Sequence, residues 1–153
     1  MRRIQKEVCR YRLVAQPLTA REPEKLMKST ESYKFLMSEV YDKDTLGITE
    51  SFYAVFLNGG NMIKGFIKVS EGGVNNCLAD PKIIFSAALK CLATSIILTH
   101  NHPSGNNHPS ECDKELTKKL VAGAKLLDIN IMDHIIVANG GRYYSFRDNG
   151  LIY

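Results

Sequence analysis

The sequence predicts an α/β domain in which helices flank a mixed β-sheet. Short apolar runs bounded by turn residues, which are typical of strands, recur along the 153-residue chain. Between them lie segments whose apolar residues recur at helical spacing. The predicted order is strand, hairpin, helix, strand, helix, strand and strand. This order indicates a mixed sheet with helices packed against it.

The first elements are an N-terminal strand and a helix. Apolar and polar residues alternate from Lys6 to Val14, which predicts a strand. A helix is predicted from Ser29 or Thr30 to Tyr41, and a loop follows over residues 42–47. We therefore expect residues 1–47 to form an extension packed on a domain of residues 48–153.

A hairpin and a helix follow in the central part. Glu50 to Leu57 is strongly apolar, and the turn Asn58-Gly59-Gly60-Asn61 joins it to a partner strand from Met62 to Val69. Asp80 is a predicted N-cap because proline follows it at the first helical position. The helix is predicted to run from Lys82 to Leu92.

The last elements surround a polar loop. Ser95 to Thr99 is a short apolar strand that leads to His100. Glu111 to Asp128 has apolar residues at helical spacing, followed by predicted strands from Ile129 to Val137 and from Arg142 to Phe146.

Two histidines at the end of the apolar strand can point to the same place. Side chains alternate along a strand, so His100 and His102 share one face and Asn101 takes the other. Asp113 is predicted in the first turn of the helix that follows the loop. Two neutral imidazoles and one carboxylate are the usual number of protein ligands for a catalytic Zn²⁺. Ser110 and Asp113 also fit a helix capping box, so the pattern has a purely structural alternative.

The sequence HxHP followed by SxxD resembles the metal motif of the JAB/MPN (JAMM) metallopeptidase-like domains. The residues His100-Asn101-His102-Pro103-Ser104-Gly105, with Pro109-Ser110 and Asp113, resemble more narrowly the bacterial RadC-like branch. The similarity runs from about Glu50 to Tyr153. It implies a JAB/MPN (cytidine-deaminase-like) architecture and one Zn²⁺ per chain bound by His100, His102 and Asp113.

The resemblance also implies two catalytic residues. The family carries a glutamate at the start of the strand before its hairpin, where Glu50 stands here, and this residue is implied to be general base and then general acid. Glu71 and Glu111 are the next candidates for that role. Ser110 matches the serine of SxxD, which is implied to support the metal-bound water or the developing oxyanion.

Four further residues near the motif receive structural predictions. We expect His108 to face solvent and Cys112 to be turned away from Asp113 by the helix. His134 is expected to be structural or an outer partner of a metal-bound histidine, and Asn101 to hydrogen-bond within the loop. The cysteines form no CxxC pair, so neither a zinc ribbon nor a redox motif is predicted.

The predicted function is hydrolysis of an amide bond by a zinc-activated water, with a peptide or isopeptide as the substrate implied by the resemblance. The alternative is a DNA repair or mobile-element accessory protein whose metal site is structural or vestigial. Longer RadC proteins carry a helix-hairpin-helix segment for which this chain has no room, which weakens the hypothesis of a DNA-related function. A third hypothesis is a catalytically inactive interaction module, although the intact motifs disfavour it.

Composition, charge and missing motifs exclude several other classes of protein. Lysine and arginine number 20 and aspartate and glutamate 16, a formal net charge of +4 that is typical of a solvated surface. No run is long and apolar enough for a membrane span, so we expect a cytoplasmic protein. A zinc deaminase would need HxE and PCxxC, and the chain has neither. No feature predicts an oligomeric state.

Overall fold

The computed structural model describes residues 25–72 and 79–152, and the elements below lie within these ranges. The helices are α1 (Ser29–Phe35), which continues as a π-helical turn (Leu36–Val40), α2 (Pro81–Lys90) and α3 (Glu111–Lys125). The strands are β1 (Ser51–Leu57), β2 (Ile63–Glu71), β3 (Ser95–His102), β4 (Asn130–Ala138) and β5 (Arg142–Ser145). The strand predicted from Lys6 to Val14 lies outside the described residues.

One five-stranded sheet organises the described part of the chain. The strand order is β2-β1-β3-β4-β5. The neighbours β1–β2, β1–β3 and β4–β5 are antiparallel, whereas β3 and β4 are parallel and are joined through α3. The prediction of an α/β fold with a mixed sheet is therefore confirmed.

Helices cover both faces of the sheet. On one face, α2 and α3 pack through Ile84, Leu120 and their neighbours against even-numbered residues of β1 and β3 such as Phe52 and Leu98. On the other face, α1 and its π-helical turn pack against odd-numbered residues of the same strands. Every residue of β1 is buried, as expected for a strand with neighbours on both edges and helices on both faces. No helix in the described ranges combines the length and hydropathy that a membrane crossing requires.

The boundaries of the elements around the loop differ from the predicted ones. β3 continues to His102, beyond the predicted Thr99, because its pairing with β4 extends to the pair His102 and Ala138. α3 ends at Lys125 rather than at Asp128, since Asp128 adopts a φ of 53° and the Ile129 N–H bonds back to the carbonyl of Ala124. The N-cap of α2 is Asp80, as predicted, and its side chain accepts a 2.9 Å hydrogen bond from the Lys82 N–H. The helix ends at Lys90 rather than at the predicted Leu92, which adopts a φ of 52°.

Candidate metal centre

The two histidines of the motif lie on the face of β3 that α3 covers. His100 is fully buried, while the His102 side chain retains 17% of its exposure at the strand end. The His100 ring stacks on Phe52, the residue opposite it on β1, with 5.7 Å between ring centroids. Strand alternation thus gives both imidazoles the same direction, and packing holds the inner one.

Asp113 reaches the same place from the first turn of α3. The Ser110 N–H and hydroxyl both donate to Asp113 Oδ2, at 2.7 and 2.6 Å, and the Asp113 N–H donates to Ser110 Oγ at 3.2 Å. This is the capping box that the sequence predicted. The two interpretations of the pattern are therefore compatible, because the residue that caps the helix also faces the histidines.

The three side chains form one compact group. His100 Nε2 lies 2.9 Å from His102 Nε2 and 3.3 Å from Asp113 Oδ1, and His102 Nε2 lies 3.7 Å from Asp113 Oδ2. Their ligand atoms all lie within 4.8 Å of one another. One ion could contact all three, so this arrangement could bind a metal.

Hydrogen-bond directions determine which nitrogen of His102 is available. His102 Nδ1 lies 2.6 Å from the Asn106 carbonyl oxygen, which can only accept a hydrogen bond. Nδ1 therefore carries a proton. In the neutral ring, Nε2 then has its lone pair directed toward His100 and Asp113.

A longer chain of hydrogen bonds fixes the tautomer of His100. The Thr117 hydroxyl donates its one proton to the Asp113 carbonyl oxygen at 2.6 Å, so it must accept the 2.6 Å bond from His134 Nδ1. His134 Nε2 is then the acceptor for His100 Nδ1 at 2.8 Å. Consequently, neutral His100 also presents the lone pair of Nε2 to the group.

These tautomers fit a bound cation. Two nitrogen lone pairs and a carboxylate face one another at short distances, and no proton of a neutral ring lies between them. Such a set repels itself unless a proton or a metal ion occupies the centre. Metal-bound histidines commonly donate their other ring N–H to a carboxylate, a backbone carbonyl or water, as His102 does to the Asn106 carbonyl oxygen. His100 donates its other N–H to a ring nitrogen of His134 instead.

The pKa shifts indicate that the Asp113 carboxylate attracts positive charge to the group. Burial raises the pKa of Asp113, but hydrogen bonds with His100 and His102 outweigh it and hold that pKa well below its usual range. The hydrogen bond with Asp113 raises the pKa of His102. Burial holds the pKa of His134 well below 6.5, so His134 is neutral near pH 7 and its Nε2 can accept from His100.

Glu50 is half-buried and close enough to this group for its pKa to respond to the group's charges. It immediately precedes β1, where Phe52 pairs with His100, so continued strand alternation predicts that its side chain faces the same way as those of His100 and His102. Burial raises the pKa of Glu50, while the two histidines lower it and Asp113 raises it further. The sensitivity of this carboxyl group to all three side chains is consistent with the role that was predicted for it.

Of the other candidate residues, the two glutamates, Cys112 and His108 lie outside the group, whereas His134 contacts it. Glu71 and Glu111 are exposed and form ion pairs with Lys68 at 3.0 Å and Lys114 at 2.6 Å. Cys112 is exposed, and exposed His108 packs its ring against Tyr144. His134 is the outer partner of His100, which is the second of its two predicted roles.

Two residues of the site were not recognised from the sequence. Thr117 lies one helical turn after Asp113 and completes the chain of hydrogen bonds to His100; its spacing was the available signal. Asn101 was expected to bond within the loop, and that prediction is wrong. Its buried amide instead bonds to Leu46, Thr49 and Ser51, which lie before β1 or at its first residue, because the odd-numbered face of β3 is directed toward them.

Comparison with known proteins finds one matching family model and several similar curated proteins. A family model described as RadC-like JAB domain matches residues 26–151. UPF0758 proteins of Flavobacterium johnsoniae and Methanosarcina mazei are similar to the chain, at 40% identity over 102 residues and 39% over 131 residues. These alignments cover 67% and 86% of the chain and 44% and 56% of the relatives. The chain thus spans about half the length of the curated relatives it matches, and their names state no activity.

Proposed function

The chain belongs to the family of RadC-like JAB domains, and on this premise we propose that it is a zinc-dependent hydrolase of amide bonds. The observation that carries the proposal is the convergence of His100 Nε2, His102 Nε2 and the Asp113 carboxylate on one point. Two imidazole nitrogens and one carboxylate oxygen suit Zn²⁺, and three protein ligands leave a fourth position open to water. A site with an open position is typical of catalysis rather than of structural zinc.

The chemistry divides between the ion and the side chains. Zn²⁺ bound by these ligands would polarise a substrate carbonyl and lower the pKa of a bound water to about 7. Glu50 supplies a carboxylate on the same face, which accepts a proton from the attacking water and returns it to the leaving amine. Its partly buried position favours this exchange, because burial raises the pKa of Glu50 toward neutrality.

Ser110 has two roles in the proposal. Its hydroxyl donates to Asp113 Oδ2 and so orients the ligand carboxylate. To support an oxyanion, as the resemblance implies, the same hydroxyl would have to turn from Asp113 toward the substrate. We therefore assign Ser110 first to positioning Asp113 and keep the oxyanion role as a prediction.

The proposed substrate is a peptide or an isopeptide-like amide, and the proposed partner is the protein that contains it. This choice follows the metallopeptidase-like relatives of the motif. The alternative hypothesis, a DNA repair or mobile-element accessory protein whose metal site is structural or vestigial, becomes an outcome of the test.

The test is the metal content of the purified, untagged chain, measured by elemental mass spectrometry. We expect about one zinc per chain. His100→Ala and Asp113→Ala should each lose it, because two ligands cannot hold the ion. Glu50→Gln should retain zinc, since that side chain is not among the three ligands.

His108→Ala is the matched control. It removes an exposed histidine of the same loop and should leave the zinc content unchanged. A folded wild-type chain that contains no metal and takes up no added zinc would overturn the hydrolase proposal and favour the hypothesis of a DNA accessory protein. Loss of zinc from His108→Ala would mean that the ligand set is wrong.

A further inference from the structure

The side-chain amide of Asn101 is buried, and its hydrogen-bond partners fix its orientation. Its Oδ1 accepts a 2.8 Å hydrogen bond from the Ser51 N–H, and its Nδ2 donates to the carbonyl oxygens of Leu46 and Thr49 at 2.7 and 2.8 Å. An N–H can only donate and a carbonyl can only accept, so these partners permit one orientation of the amide. Asn101 itself is 1% exposed. These bonds therefore form away from competing water.

Two of these partners flank Glu50 directly. The Thr49 carbonyl precedes Glu50 and the Ser51 N–H follows it, so one side chain holds the backbone on both sides of the carboxylate. The ladder between β1 and β3 has its last residue pair at Phe52 and His100. Beyond that pair the Asn101 side chain continues the connection between the two chain segments.

The opposite edge of the segment is held independently. The Gly72 N–H donates to the Glu50 carbonyl oxygen at 2.8 Å. That bond joins the segment to the end of β2, which contributes no metal ligand. Within the described residues, the amide of Asn101 joins it to the strand that carries His100 and His102.

We propose that Asn101 is a positioning residue that fixes Glu50 relative to the metal ligands. His100 and His102 project from one face of β3, and Asn101, between them, holds the Glu50 backbone from the other face. Consecutive residues of one strand thus set both halves of the site. This inference rests on the proposed function, because it assigns Asn101 an effect on the carboxylate that acts there.

The first measurement is amide hydrogen exchange over residues 46–51 in the metal-free protein. Asn101→Ala should accelerate exchange there by roughly tenfold or more, because three buried hydrogen bonds are lost. Asn101→Asp is a second variant of nearly the same volume that loses the amide donors, so the test survives if the alanine variant does not fold.

Thr99→Val is the matched control. Thr99 lies on the same face of β3, and its hydroxyl bonds to the buried Tyr41 hydroxyl at 3.0 Å. The variant removes a buried hydrogen bond without touching residues 46–51. Its exchange over that segment should match that of the wild type.

The second measurement uses Co²⁺ as a spectroscopic substitute for zinc. The pH midpoint of the visible Co²⁺ absorption is compared among wild type, Glu50→Gln, Asn101→Ala and the double variant. Asn101→Ala should shift the midpoint in the same direction as Glu50→Gln while retaining one metal per chain. The double variant should match Glu50→Gln alone, because a residue that acts through Glu50 adds nothing once Glu50 is gone. Thr99→Val should keep the wild-type midpoint.

The outcomes separate the two proposals. If Glu50→Gln leaves the midpoint unchanged, the carboxylate does not act on the metal site, and the proposed function and this inference both fall. If Glu50→Gln shifts the midpoint and Asn101→Ala does not, the proposed function stands and Asn101 is only structural. Equal shifts in Asn101→Ala and Thr99→Val would also overturn the positioning role.

Discussion

At the scale of single residues, the ability of the candidate metal centre to bind an ion depends on which nitrogen of each histidine ring carries the proton. Thr117 has one hydroxyl proton, and its donation to the Asp113 carbonyl obliges His134 to donate from Nδ1. The direction of each later hydrogen bond in this series is fixed by the one before it, and the last one leaves the lone pair of His100 on Nε2. Thr117, which is not one of the three candidate ligands, therefore determines the tautomer of His100, which is one of them.

Thr117→Val tests this dependence. Valine has nearly the same shape but cannot accept the proton of His134, so a buried donor is left unpaired and the alternative tautomer of His134 becomes competitive. Zinc affinity, measured by competition with a chromophoric chelator, should fall roughly tenfold to a hundredfold. Thr117→Ser keeps the hydroxyl and should restore most of the affinity. Wild-type affinity in the valine variant would contradict the proposed chain of hydrogen bonds.

At the scale of elements, α3 aims Asp113 only while its apolar side stays in the core. Leu120 is fully buried and Ala124 is 1% exposed, and both lie among the residues that α3 packs against the sheet. The capping box sets where the helix begins, and this packing sets its rotation. Both are needed for one carboxylate to face β3.

Two leucines near the C-terminal half of α3 give a direct comparison. Leu120→Ala should lower the free energy of unfolding of the metal-free protein by about 2–5 kcal/mol, because it opens a cavity in the core. Leu126, which is 87% exposed, should change it by no more than about 0.5 kcal/mol when replaced by alanine. Urea denaturation followed by circular dichroism measures both. Equal effects of the two substitutions would mean that α3 is not packed as described.

At the scale of the whole molecule, the geometry predicts that protons and a metal ion would compete for the same centre. The pKa of His102 is raised by its hydrogen bond with Asp113, so in the metal-free protein the folded state holds a proton that the unfolded chain releases above about pH 6.5. That contribution is complete below the unfolded pKa and is lost as the pH rises through the folded pKa. Zinc binding instead requires the unprotonated ring, and so becomes stronger as the pH rises.

The pH dependence of stability should therefore differ between the metal-free and the zinc-bound protein. Above about pH 6.5, the melting temperature of chelator-treated protein should fall with rising pH, whereas that of zinc-saturated protein should stay nearly constant, because neither the zinc-bound ring nor the unfolded chain then carries the proton. Below that pH, His134 opposes stability in both forms, because burial lowers its pKa. His102→Gln should remove the decrease seen in the metal-free protein. Parallel slopes with and without zinc would contradict the competition.

Local patterns made much of this molecule predictable. Strand alternation and the position of Asp113 after a capping serine were sufficient to bring together the three candidate ligands, because each depends on short sequence distances. The bonds of Asn101 to Leu46, Thr49 and Ser51 were not predictable in this way, since their partners lie some 50 residues earlier in the chain. A polar residue on the buried face of a strand indicates that partners exist but does not identify them.

The π-helical end of α1 and the extension of β3 to His102 also depend on tertiary contacts. No periodicity in Leu36–Val40 distinguishes a π-helical turn from an α-helical one. The length of β3 is set by its pairing with β4, a partner whose register the isolated apolar run does not reveal.

The distribution of the site along the chain has an evolutionary consequence. The three ligands come from one continuous stretch, β3 through the start of α3, whereas Glu50 lies before β1 and enters the site only through pairing between distant segments. A substitution near residue 50 would therefore leave the stretch that carries the three candidate ligands intact, although each of those ligands is itself one codon change away from loss. Under the proposed function, a duplicated copy of this domain would lose turnover and metal binding in separate evolutionary steps.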